Sequence, residues 1–214
     1  TLLLIIVVGA FFLSLENLYV YHDITTSVRY SAFQFISAIT GTGLQTADVS
    51  LWSASALMLI SLAMIIGGCA GSTASGIKVA RAIFIWNEVK LWLARMFRSK
   101  NSIVAIEIGG KRVTGDAVEQ EMAEASLISC LWLVTILVSM FLMSHIAGPQ
   151  FELFHIIFDV CSAQGNVGLS CGVVTPDLPA PGKILIIADM WIGRLEIIPV
   201  LVLVRYLFKE FNIS

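Results

Sequence analysis

Charge is what this chain has least of. Only 13% of its 214 residues are Asp, Glu, Lys or Arg, while 57% are hydrophobic and the mean hydropathy is +0.89. Soluble domains carry about a quarter charged residues, so the composition excludes an ordinary soluble domain and indicates an integral membrane protein. Four cysteines (Cys69, Cys130, Cys161, Cys171) lie in or beside apolar stretches with no C-x-x-C spacing, which reads as small packing residues with neither a metal site nor a disulfide. A phosphate loop is also missing. Gly71-x-x-x-x-Gly76 is followed by Ile77 before Lys78, and no buried strand precedes it. The chain opens at Thr1 inside an apolar run with no charged n-region or cleavage site before it, so no signal peptide is read there. The expectation is a piece of a longer polypeptide, cut within a transmembrane helix.

What is present is a repeat. Ser37-Ala38-Ile39-Thr40-Gly41-Thr42-Gly43-Leu44 and Ser162-Ala163-Gln164-Gly165-Asn166-Val167-Gly168-Leu169 share the frame S-A-x-x-x-x-G-L at a constant offset of 125 residues. Each copy follows a short amphipathic run, Val28 to Ile39 and Phe151 to Gln164, and each precedes a stretch apolar enough to cross a membrane. A run of about a dozen residues makes roughly 18 Å of helix, too short to span. Non-helical backbone survives at membrane depth only when protein or a water-filled path surrounds it. The order of apolar span, half-helix, small-residue turn and apolar span therefore predicts a re-entrant pore loop, made twice.

The predicted spans are residues 1–21, a segment from Ala54 to Ile66 that resumes as Ile77 to Trp92, Ala125 to Ala147, and Lys183 to about Phe208. Glu16, Tyr19, Tyr21 and His22 mark the outer interface of the first, and a polar connector, Asp23 to Thr26, follows it. Residues 78–112 hold eight of the 13 basic residues, from Lys78 and Arg81 to Lys111 and Arg112, which makes that block cytoplasmic. The expected organisation is an all-α membrane fold. Residues 1–95 form one pore-loop repeat, 96–120 a cytoplasmic connector with Gly109-Gly110 as a turn signal, and 121–214 a second repeat.

Three features carry chemistry. A cation entering hydrocarbon must have its hydration shell replaced, and backbone carbonyls of extended small-residue loops do this without a fixed charge that would trap the ion. Half-helix C-termini aimed at the turns add negative dipole ends. Next, Gly67-Gly68-Cys69-Ala70-Gly71-Ser72-Thr73-Ala74-Ser75-Gly76 interrupts the second span. It reads either as a close-packing helix face with small residues four apart or as an unwound hinge or plug. Lastly, Asp189, Arg194 and Glu196 lie in the last span, where ionisable residues face a cavity or pair with one another. Pro199 would free the Leu195 carbonyl and bend that helix. An intramembrane hydrolase using Ser72 or Ser75 with His145 or His155 has no supporting pattern. An ion-coupled secondary transporter, carrying K+ with H+ or Na+, would call for inverted repeats, whereas these are parallel.

The segment Gly67 to Lys78 resembles the broken-helix loop of the Trk/Ktr potassium-uptake subunits. Gly165-Asn166-Val167-Gly168-Leu169, Thr175-Pro176-Asp177-Leu178 and Met190-Trp191-Ile192-Gly193-Arg194-Leu195-Glu196 resemble the last repeat of the same family, closer to its Trk branch. The resemblance covers essentially the whole chain and implies the third and fourth of four pore-loop repeats. It implies a K+ filter built from the carbonyls of Thr40, Gly41, Thr42 and Gly43 and of Gly165, Asn166, Val167 and Gly168. Gly67 to Gly76 would be a gating loop below that filter, with Arg194, Lys78 and Glu196 as gate-associated charges. It also implies a multi-pass protein of a prokaryotic cell membrane, paired as a homodimer, with no enzyme activity and no cofactor of its own. A cytoplasmic TrkA-like regulatory ring would carry the nucleotide. The family pore needs four repeats, so a missing N-terminal half would supply the other two.

Overall fold

The computed structural model describes residues 2–68, 75–97, 106–108, 111–113, 116–195, 199–200, 202 and 205–206. The first span is α1 (Leu2–Tyr21), whose 20 residues rise about 30 Å. Only Leu13, Ser14 and Asn17 are buried in it, and Leu3, Leu4, Val7, Phe11 and Phe12 are each more than half exposed. An apolar helix with so little cover is matched to lipid rather than to a protein core. Its buried stripe is held to the next helix by polar contacts: Ser27 Oγ donates to Ser14 O at 2.7 Å, and Asn17 Nδ2 to Ser31 Oγ at 2.9 Å. Lipid tails are as apolar as leucine, so packing and such hydrogen bonds, not expulsion from water, hold helices together there.

The short helix α2 (Ile24–Thr40) begins one turn earlier than the apolar pattern indicates. Asp23 is the reason. Its carboxylate accepts from the Thr26 amide (2.9 Å), the Thr26 hydroxyl (2.6 Å) and the Thr25 hydroxyl, a helix cap that the sequence reading treated as plain connector. After a turn and a single 3-10 turn (Val49–Leu51), α3 (Ala54–Ile65) starts at Ser53, whose hydroxyl caps Ala56 N and donates to Glu16 on α1. Trp52 Nε1 donates to Tyr21 Oη at 2.9 Å, tying the same ends together.

The second span then breaks. Helix α3 stops at Ile65, and the chain resumes as α4 (Val79–Phe97). The connector carries an antiparallel hairpin, β1 (Ile106–Ile108) with β2 (Lys111–Val113), a local addition to an otherwise helical fold. Its register pairs Ile106 with Val113, Glu107 with Arg112 and Ile108 with Lys111. Helix α5 (Asp116–Ile146) includes a 24-residue apolar stretch from Ala123. The second half-helix is α6 (Leu153–Gln164), and α7 (Ala180–Leu195) follows, with Pro181 tolerated in its first turn. Pro199 is helical, but 196–198 lie outside the described residues, as does the expected bend.

Helix α1 packs on α2, α3 bridges to α6, and α6 is gripped by α5 and α7. One buried cluster (including Phe35, Ile39, Ile60, Met64, Trp132 and Phe158) draws on both halves of the chain. The turns that follow α2 and α6 rest on this cluster.

Candidate functional site

The two small-residue turns have the same backbone. Gly41 (φ 69°) and Asn166 (φ 50°) are left-handed, and so are Gly43 (φ 72°) and Gly168 (φ 99°), each pair separated by the offset of the sequence repeat. Hydrogen bonds repeat with them. Gly41 N and Asn166 N donate to Ala38 O and Ala163 O at 3.2 and 3.0 Å, and Thr42 N and Val167 N to Ser37 O and Ser162 O at 3.0 and 2.9 Å. The repeated serine brackets both turns: Ser37 Oγ donates to Leu44 O at 2.8 Å, and Ser162 Oγ accepts from Gly168 N at 3.1 Å. In the first turn, Thr40 Oγ1 donates to Ile36 O and lies 2.7 Å from Thr42 Oγ1, both threonines being exposed.

Behind each turn stands a buried polar side chain that the sequence reading missed. Gln34 donates from Nε2 to Ala47 O at 3.3 Å. Asp159, at the equivalent place on α6, accepts from Cys171 N (2.6 Å), Val173 N and Val174 N (3.0 Å each) and the Ser170 hydroxyl (2.8 Å). Three amides closing on one carboxylate fold the segment after the turn around a single anchor.

The turns also meet each other. A Cβ on Gly43 would lie 1.8 Å from Val167 O, and one on Gly168 would lie 3.9 Å from Gly43 Cα. Gln45 Nε2 reaches Ser170 O, its own equivalent in the other copy, at 3.5 Å. The two turns are therefore in direct contact, and Gly43 is glycine because φ and the Val167 carbonyl leave nothing else room.

Of the broken span, Gly67, Gly68, Ser75 and Gly76 are described and non-helical, while Cys69, Ala70, Gly71, Ser72, Thr73 and Ala74 lie outside the described residues. The continuous close-packing helix is thus excluded at both ends of the break. Those ends are pinned together: Ile77 N donates to Ile65 O at 2.9 Å and Val79 N to Gly68 O at 3.3 Å. The chain after the break thus returns to where α3 ends. Lys78 sits at the return, half-buried.

Asn166 Nδ2 links this return to the second turn and to α7, donating to Ser75 Oγ at 3.2 Å and to Met190 O at 3.0 Å. Gly193 permits it, because a Cβ there would stand 1.8 Å from Gln164 O. Arg194 follows on the exposed side of α7, and Glu196 lies outside the described residues. Asp189 is buried and accepts from Ser139 Oγ on α5 at 2.5 Å, a tie between spans. His145 contacts Phe141 O, His155 contacts Ser50 O and Ser75 is engaged by Asn166, while Ser72 lies outside the described residues. The described residues hold no cluster of three His, Cys, Asp or Glu side chains able to ligate a metal ion.

Known proteins resemble this chain. Residues 2–213 match the family model TrkH, cation transport protein. An uncharacterized cation transporter of Methanocaldococcus jannaschii is 34% identical over 83% of this chain and 36% of its own length. The Trk system potassium uptake protein TrkH of Salmonella typhimurium is 26% identical over 86% of this chain and 37% of its own. The Ktr system potassium uptake protein D of Bacillus subtilis is 30% identical over 86% and 37%. The crystal structure of the potassium transporter TrkH from Vibrio parahaemolyticus superposes with a TM-score of 0.77 at 24% identity, over 94% of this chain and 42% of that one. The chain thus spans little more than a third of the length of the curated relatives it matches. It belongs to the TrkH family of cation transport proteins, which makes it a membrane protein.

Proposed function

We propose that this chain is the C-terminal half of a Trk-type potassium-uptake subunit, its third and fourth pore-loop repeats (1–95 and 121–214) joined by the cytoplasmic connector 96–120. The observation that supports the reading is the contact between the two turns, Gly43 against its equivalent Gly168 and against the Val167 carbonyl, which brings small-residue backbone of both copies side by side. Carbonyls of Thr40 to Gly43 and of Gly165 to Gly168 then line half of a K+ filter, and the half-helices α2 and α6 aim their C-terminal dipole ends toward it. The two turns differ in cover. Leu169 is 2% exposed and its equivalent Leu44 is 61% exposed. Such a difference arises when two neighbouring units of a ring are seen without the units beyond them, and it supports two further repeats in the working protein.

The intramembrane loop Gly67 to Gly76 obstructs the path below the filter, and Arg194 with Lys78 and Glu196 sets the charge there. The whole protein is a multi-pass transporter of a prokaryotic plasma membrane, pairs as a homodimer, and is gated by a cytoplasmic TrkA-like ring that holds the nucleotide. It is a transport protein and not an enzyme, and K+ is cargo rather than cofactor. The test is the reversal potential of the four-repeat polypeptide in planar bilayers. The current reverses at the K+ equilibrium potential and is indifferent to H+ and Na+ gradients. A reversal potential that moves with either gradient would replace this reading with coupled transport.

A further inference from the structure

Asp159 and Gln34 occupy the same place in the two copies and both are buried, yet only one of them is an acid. Every contact of the Asp159 carboxylate is with a neutral donor. Oδ1 accepts from Cys171 N at 2.6 Å, and Oδ2 accepts from the Ser170 hydroxyl at 2.8 Å and from Val173 N and Val174 N at 3.0 Å each. Four donors fill the roughly four lone-pair positions of an ionised carboxylate. Three of them are amides, which cannot accept a carboxyl proton, and the Ser170 oxygen already accepts from Gly172 N at 3.0 Å. An amide side chain offers one oxygen in place of two, so it could not hold this segment. The fold of residues 170–174 therefore selects a carboxylate, and a negative charge comes with it.

Neutral donors stabilise that charge without cancelling it, as a Lys or Arg partner would. Its neighbours on α6, Phe158, Val160 and Cys161, are fully buried and apolar, so little around it screens the field. Ser162 lies three residues on, about 5–6 Å away between Cβ atoms on a helix, and accepts from Gly168 N at 3.1 Å. The charge is thus on the order of 10 Å from the backbone of the second turn. It adds to the negative dipole end of α6, which terminates at Gln164. The first turn has no such charge behind it, because Gln34 is neutral and donates from Nε2 to Ala47 O.

Resting on the proposed filter, we infer that Asp159 is the fixed charge that holds a cation at the second turn, so that the two turns bind K+ unequally. At a separation on the order of 10 Å and an effective dielectric constant of about 20, one unit charge changes the occupancy of a monovalent cation by roughly tenfold. Asp48, on the segment after the first turn, is exposed, and salt screens an exposed charge far more than a buried one.

The experiment is K+ uptake by proteoliposomes holding the four-repeat polypeptide with its cytoplasmic partner, measured against K+ concentration. Asp159→Asn raises the half-saturating K+ concentration roughly tenfold. Loss of folded protein lowers only the maximal rate, so the two effects separate. Ser170→Ala removes one neutral donor and keeps the charge, and its half-saturating concentration stays at the wild-type value. Wild type keeps its own value as choline chloride is raised, because a buried charge is little screened. A wild-type half-saturating concentration in Asp159→Asn, or a rise in Ser170→Ala as large as in Asp159→Asn, would assign Asp159 to the fold alone and overturn the proposal. A wild-type value that climbs steeply with choline chloride would assign the attraction to exposed acids such as Asp48, and overturns it without any variant. Failure of the underlying reading is distinguishable: wild type assembled with its partner would then show no K+-selective flux, whereas failure of this inference leaves that flux intact.

Discussion

Gln34 and Asp159 stand at equivalent places on the two half-helices, both buried, and each binds the segment that leaves its own turn. One donates to a carbonyl and the other gathers three amides. Asp159→Asn is nearly isosteric yet presents an NH2 group to N–H donors. A hydrogen bond to a charged group is worth about 1.5–3 kcal/mol, so this variant loses about 2 kcal/mol of stability. Thermal unfolding in detergent measures it, and Gln34→Met, which loses one neutral bond and buries no charge, shifts the melting temperature less.

The two turn glycines differ in what surrounds them. Gly43 carries a positive φ and the Val167 carbonyl in its Cβ position, whereas Gly168 carries a positive φ with Gly43 Cα at 3.9 Å. A left-handed non-glycine residue costs about 1–2 kcal/mol on its own. Gly168→Ala costs about that much and still assembles. Gly43→Ala must also displace the neighbouring turn, so recovery of folded protein by size-exclusion chromatography falls much further.

Much of this was legible in the sequence, for identifiable reasons. Long uncharged runs determine α1 and the apolar part of α5, and the repeat S-A-x-x-x-x-G-L survives because its glycines and serine each have a geometric duty in both copies. The early start of α2 was hidden because Asp23 and Thr26 read equally well as a polar connector until the carboxylate is seen to cap the helix. The pair Gln34–Asp159 was hidden because equivalent positions carry different chemistry, which a search for identical residues passes over. Asn166 was read only for its backbone carbonyl, and nothing in its spacing reveals that its amide reaches Ser75, 91 residues away.

Asp23 gives a pH signature. The Thr26 hydroxyl first, then the Thr26 amide and the Thr25 hydroxyl, hold its carboxyl down at about 2, below the ordinary value of 3.8. A carboxyl depressed on folding contributes stability that is fully present above the unfolded value and is lost as pH falls through the folded one. Melting temperatures between about pH 4 and pH 2 fall for wild type by more than for Asp23→Asn, which keeps an acceptor and has no charge to lose.

The loop gives a gating test. Its ends are pinned at Ile65 and Ile77, so shortening it between them spares the flanking helices. On the proposed gate, deleting residues 71–75 would take away the obstruction, and Arg194→Ala the positive charge that would oppose a cation. Both raise K+ flux measured without the regulatory ring. Well-expressed variants with lower flux than wild type would assign the loop and Arg194 a purely structural role.

The central claim is that the two turns are a cation filter, and one measurement reaches it most directly. Gly168 is exposed at the meeting of the turns, with space for a small side chain. Competitive K+ and Na+ flux through the four-repeat polypeptide carrying Gly168→Ser puts a hydroxyl where carbonyls converge. The account predicts preserved expression with a marked fall in K+/Na+ discrimination. Discrimination equal to wild type, in protein expressed to the same level, would contradict it.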